Sequence, residues 1–142
     1  MADPLKTLNR IQKFHIDEQR KILNELFKQQ DILQEQLTQL NEAFEKEKEF
    51  ARTNSGVGDF GAYVKRYMQQ RENLEMQLSV LQAKIEHERD IMADMFKEQK
   101  TFEIVDERRA QRRQKEADDK EQKMLDEIGT NSFLKNTKKT PS

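Results

Sequence analysis

From Phe60 to Phe102, steps of alternately four and three residues land on Phe60, Val64, Tyr67, Arg71, Leu74, Leu78, Leu81, Ile85, Glu88, Met92, Met95, Gln99 and Phe102. Only Arg71, Glu88 and Gln99 among them are polar. That alternation is the a/d seam of a heptad repeat, and it confines the stretch to a helix that buries a narrow stripe against another helix. So thin a stripe leaves a lone helix held by propensity and surface charge pairs alone. The partner helix has to lie elsewhere in the chain or in a second copy.

Composition narrows the search. The chain has 142 residues, 34% hydrophobic and 37% charged, which is too little apolar material for a thick core but too regular a pattern for disorder. An elongated helical protein is expected. Proline occurs only at positions 4 and 141, and glycine only at 56, 58, 61 and 129, so two long intervals are almost free of helix breakers. Those intervals are the expected helices. With 26 basic and 27 acidic residues the net charge is -1, which argues against a generic polyanion binder and fits the solvated faces of a coiled coil. Cysteine is absent, so disulfides and thiolate chemistry are not available. No apolar run of about 18 residues exists, nor the apolar core of a signal peptide. The expected location is the cytoplasm, unless a partner recruits the chain to a membrane.

In chain order, Asp3 and Pro4 precede Leu5 as an acceptor followed by proline at the first helical position, and the first helix is expected over residues 4–52. Its apolar residues suggest an eleven-residue spacing, with Ile11, Ile22, Leu33 and Phe44 on one line and Leu5, Ile16 and Phe27 on its neighbour. From Leu26 onward Leu33, Leu37, Leu40 and Phe44 form a seam able to face the second helix. A turn is expected over 53–59, rich in Asn, Ser and Gly, with Asp59 as the cap of the next helix. So short a connection implies antiparallel packing. If Ala51 lies opposite Phe60, Leu8 falls near residue 103, and the next seam steps there are Asp106, Arg109 and Arg113. The expected architecture is therefore all-α: two long helices in an antiparallel coiled-coil hairpin with a single-helix overhang toward the C-terminus. The second helix would run over 60–128, paired over 60–105 and unpaired over 106–128, with Gly129 as its stop and a flexible tail over 129–142. Homodimerisation through the Phe60 to Phe102 seam is the rival.

Most apparent chemical motifs do not survive their context. Gly56-Val57-Gly58-Asp59-Phe60-Gly61 matches G-x-G-x-x-G, but a helix rather than a strand is expected before it. His15 and His87 are the only imidazoles, and neither has a helical His or Cys neighbour to complete a metal site. The carboxylates lie on open helix surface, with no pocket to shift their pKa values. No catalysis, cofactor, metal or small-molecule substrate is expected. Arg108, Arg109, Arg112 and Arg113 form a basic cluster followed at once by an acidic block from Glu116 to Glu121. The acids would repel phosphates and no aromatic is interleaved for stacking, so nucleic acid is disfavoured against a solvated face or a protein contact. Phe27, Phe50 and Phe96 lie off the seam, as residues that widen the core or anchor a partner.

Several stretches resemble one family. Pro4-Leu5-Lys6-Thr7-Leu8-Asn9-Arg10-Ile11-Gln12-Lys13-Phe14, then Asp17-Glu18-Gln19-Arg20, look like the N-terminus of the flagellar FliJ family. So do Phe60-Gly61-Ala62-Tyr63, Met95-Phe96-Lys97-Glu98-Gln99-Lys100-Thr101-Phe102-Glu103, Glu107-Arg108-Arg109 and Leu125-Asp126-Glu127, over about residues 4 to 128. The resemblance implies a non-enzymatic antiparallel coiled coil similar to the central stalk of rotary ATPases, in the flagellar type III export apparatus. Its implied partners are the hexameric export ATPase and its regulator, the membrane export gate and export chaperones. Its implied place is cytoplasmic, peripheral to the inner face of the membrane at the flagellar base, and its implied state alone is a monomer. No catalytic residue transfers. On this reading Arg108, Arg109, Arg112 and Arg113 are expected to meet the ATPase ring, and Phe50, Arg66, Gln70 and Asn73 the gate. The rivals are the equivalent stalk of a virulence type III secretion system and a homodimeric structural or adaptor coiled coil.

Overall fold

The computed structural model describes residues 3–54, 56 and 58–139, with side chains as far as residue 135. Helix α1 spans Pro4–Thr53 and helix α2 spans Phe60–Lys139, and the described residues contain no strand. The protein is all-α, an antiparallel helix pair.

Local chemistry fixes the helix ends. Asp3 Oδ1 accepts the Leu5 N–H at 3.1 Å, and the Asp3 carbonyl accepts the Thr7 N–H at 3.2 Å, so α1 is capped just ahead of Pro4. At the other end Asn54 N–H donates to the Phe50 carbonyl at 2.9 Å. Gly56 and Gly58 then take φ of 91° and 76°, a left-handed conformation that side chains with a Cβ resist. The G-x-G pattern is thus turn chemistry. Asp59 Oδ1 accepts the Ala62 N–H at 3.1 Å and starts α2. Replacing Asp59 by Ala is expected to cost about 1 kcal/mol, read as a lower urea midpoint with unchanged slope.

The chain divides into two compact units: Arg10–Lys97 is one, and the flanking segments ending at Asn9 and beginning at Glu98 form the other. Within Arg10–Lys97 every α2 seam position from Phe60 to Met95 is buried or half-buried. The contiguous core is Leu23, Leu81 and Ile85, with Leu26, Phe27, Leu33 and Met92 packed against it. Arg71, a polar step of this seam, lays its guanidinium 5.6 Å from the centre of the Tyr67 ring and pairs with Glu75 at 3.6 Å. The Tyr67 hydroxyl, then the charges of Tyr67 and Glu75, raise the Arg71 pKa further, so it stays charged at every relevant pH. A charged head with an apolar stem tolerates a half-buried site.

Helix α1 corrects the eleven-residue reading. Its inward positions in this unit are Gln12, Ile16, Gln19, Leu23, Leu26, Gln30, Leu33, Leu37, Leu40 and Phe44, a heptad line like that of α2. Ile11 and Ile22 are 47% and 46% exposed. Two helices that coil around each other must share a period, and amides fill three places where the sequence lacks apolar groups. Gln12 Nε2 donates to the Met95 carbonyl at 2.9 Å and Gln19 Nε2 to the Glu88 carbonyl at 3.0 Å. This register differs by about one helical turn from one in which Ala51 faces Phe60. Aromatic stacking accounts for the difference. Phe44 stacks on the start of α2, with ring centroids 3.9 Å from Tyr67 and 6.3 Å from both Phe60 and Tyr63. Tyr67 also donates its hydroxyl to Asn41 Oδ1 at 2.6 Å.

In the other unit Leu5 is buried, while Gln99, Phe102 and Val105 of α2 are half-buried. Every described side chain from residue 106 to 135 is exposed. The expected stop at Gly129 is overturned, because α2 continues through it to Lys139. A glycine inside a helix costs about 1 kcal/mol relative to alanine and does not end it unaided, and the next proline is Pro141. Of the expected flexible tail, 129–139 is helical, and 140–142 lies outside the described residues. Among the described residues no helix is long and apolar enough to cross a membrane.

Candidate functional site

Two surfaces stand out, one in each unit. In the unit containing Glu98 onward, Arg108, Arg109, Arg112 and Arg113 are all exposed on α2. At the helical rotation per residue they cover roughly 140° of the circumference, so they present one broad basic face. Arg109 and Arg113 fall on the continued heptad line, where a run of charged side chains disfavours burial against a partner helix. The same stretch keeps its helix with local bonds: Gln114 Nε2 donates to Asp118 at 3.0 Å and Gln122 Nε2 to Asp126 at 3.2 Å. Further along, Met124, Leu125 and Ile128 are each more than half exposed.

In Arg10–Lys97 the second surface lies beside the turn. Phe50 is 51% exposed and lines an open groove of about 190 Å³ with Gly58, Asp59, Tyr63 and Arg66. Arg66 is shared with a larger groove of about 510 Å³ that also meets Gln69, Gln70, Asn73 and Met76. The structure therefore brings Phe50, Arg66, Gln70 and Asn73 onto one continuous face. Asn73 and Met76 lead in turn to a groove of about 350 Å³ between the helices, lined also by Leu33, Val80, Leu81 and Lys84. Met76 and Val80, 61% and 58% exposed, belong to this face and were missed in the sequence. Their signal was two apolar residues four apart, just off the seam, a spacing that places them together on the helix surface.

The remaining candidates have local accounts. His15 is exposed with its ring edge-on to Phe14 at 5.8 Å, and His87 is exposed on α2. Among the described residues no group of three His, Cys, Asp or Glu side chains could hold a metal ion. Phe27 is half-buried beside the core, beneath the Arg89 guanidinium at 5.2 Å, and Phe96 is 42% exposed. Both surfaces are open to solvent among the described residues.

Residues 1–138 match a family model described as Flagellar FliJ protein. No curated protein and no solved structure matches the chain.

Proposed function

The chain belongs to the flagellar FliJ family, and from that premise we propose that it couples the export ATPase ring to the membrane export gate during flagellum assembly. Membership makes it a component of the flagellar export apparatus, in a family without catalytic activity of its own. The finer reading assigns the basic face of Arg108, Arg109, Arg112 and Arg113 to the ATPase hexamer and its regulator. It assigns the face of Phe50, Arg66, Gln70 and Asn73 to the gate, with export chaperones as further partners. The protein acts as a monomer, held from the cytoplasmic side at the flagellar base by these contacts.

The observation that carries this reading is the exposure of every described side chain of α2 from residue 106 to 135, in a chain whose α2 seam elsewhere is covered by α1. A long helix that is not buried by its own chain is available to a partner, and its charge favours specific docking over burial in a lipid or apolar core. The turn-side assignment is tested in cells. Phe50→Ala combined with Gln70→Ala is expected to reduce swimming-halo diameter by more than half, while circular dichroism and protein level stay at wild-type values. Normal swimming with this pair of substitutions contradicts the assignment of the gate to that face.

A further inference from the structure

The seam within Arg10–Lys97 is not uniform along its length. From Leu23 toward the turn, α1 turns Leu23, Leu26, Leu33, Leu37, Leu40 and Phe44 inward, interrupted only by Gln30. In the opposite direction its inward residues are Gln19, Ile16 and Gln12, only 5%, 3% and 7% exposed. Two of these three are amides. Gln19 Nε2 donates both to the Glu88 carbonyl and to the Glu88 carboxylate, and Gln12 Nε2 donates to the Met95 carbonyl. Glu88 is itself a half-buried seam residue of α2.

Such a seam is selective but weak. Gln12 and Gln19 are one heptad apart on α1, as Met95 and Glu88 are on α2, so a single alignment lets both amides reach their acceptors and a slip of one turn breaks both. In the open state, water satisfies the same amides and carbonyls, so a buried amide bond resists opening less than a buried leucine does. The core of Leu23, Leu81 and Ile85 lies on the turn side of Gln19. Residues 4–9 of α1, which belong to the other unit, contain one buried side chain, Leu5. Ile11 and Ile22, on one side of Ile16 around the helix, already stand nearly half exposed.

We infer that residues 10–22 of α1 are a built-in unzipping segment: they detach from α2 as a unit while the leucine-rich, turn-proximal pairing stays closed. The two glutamines restore the register each time the segment closes. The detached segment presents Ile11, Ile16 and Ile22 over a wider face than a coiled-coil seam needs, so opening converts a structural helix into an apolar surface.

Hydrogen exchange of the full chain, followed by mass spectrometry of overlapping peptides, tests this. In the wild type, amides of residues 12–22 are expected to exchange at least tenfold faster than those of 26–44, because the segment, once detached, lacks the packing that keeps so short a helix's own hydrogen bonds closed. Gln12→Leu with Gln19→Leu should slow exchange of 12–22 at least tenfold and leave 26–44 unchanged. Equal protection of the two regions in the wild type, or no slowing in the double variant, overturns the inference. If light scattering shows that the double variant associates, Gln12→Ala takes its place. That substitution should speed exchange of 12–22 at least threefold with 26–44 unaffected, and acceleration shared equally along α1 overturns the inference.

Discussion

Reversing the charge at Arg108, Arg109, Arg112 and Arg113 to glutamate is expected to weaken binding to the export ATPase by roughly a hundredfold at low ionic strength. The four guanidiniums form one exposed face of α2, and if that face docks on the ATPase as proposed, each reversal replaces an attraction with a repulsion. Exposed ion pairs contribute only about 0.2–1 kcal/mol each, so four changes acting in the same direction reach about 3 kcal/mol. The effect should be electrostatic in kind as well as size. Wild-type affinity should fall steeply as salt is raised from about 50 to 500 mM, and the difference from the variant should shrink as the Debye length shortens. Because these side chains are exposed, the substitutions should leave the urea midpoint near that of the wild type. Isothermal titration or a low-salt pull-down against the purified ATPase measures the change. Unaltered affinity removes the basic face from the interface.

The second large effect concerns the clamp that holds the helices together. Ile85 is 4% exposed and packs in the core with Leu23 and Leu81. Ile85→Ala should destabilise the protein by about 2–5 kcal/mol, through lost apolar burial and an unfilled cavity. Against a total of about 5–15 kcal/mol for a natural domain, that is a large fraction, and partial unfolding at 37 °C is expected. Val80, five residues earlier on the same helix but 58% exposed, is the control: Val80→Ala should change stability by no more than about 0.5 kcal/mol. Urea denaturation followed by circular dichroism at 222 nm separates the two. Similar midpoints for both variants would mean that the heptad seam is not what holds α2.

Much of this fold is legible in the sequence, for a physical reason that also marks where legibility ends. The α2 seam consists mostly of apolar residues at regular steps, so its buried face can be read directly, and the caps Asp3 and Asp59 are side chains whose role follows from position. The α1 seam is obscured because Gln12, Gln19 and Gln30 occupy inward positions while Ile11 and Ile22 stand outside. An amide that reaches a carbonyl on the facing helix can hold a seam position at some cost in stability, and hydropathy cannot show that reach. The register was displaced for a related reason. Spacing shows which face of each helix is buried but not how far the helices slide, and the stack of Phe44 on Tyr67 decides that. Gly129 misled because it carries a propensity cost without a turn to impose it.

The surfaces were less legible than the seam. Arg66, Gln70 and Asn73 share one face of α2 by spacing, but only the return of the chain at the turn joins the groove at Phe50 to the groove at Asn73 through Arg66. Met76 and Val80 extend that face but look like ordinary helix residues until their exposure is known. The basic cluster was visible as a run of arginines, and the structure adds that nothing in the same unit covers it among the described residues.

The central claim, that this chain couples the ATPase to the gate by binding both, is tested most directly by a bridging measurement. Immobilised export ATPase is incubated with the soluble domain of the gate, with and without the full-length chain, and the retained gate domain is quantified. Retention is expected only when the chain is present, with loss of retention both when the four arginines are reversed and with Phe50→Ala plus Gln70→Ala. Gate retention that does not depend on the chain, or that survives both sets of substitutions, would contradict that claim.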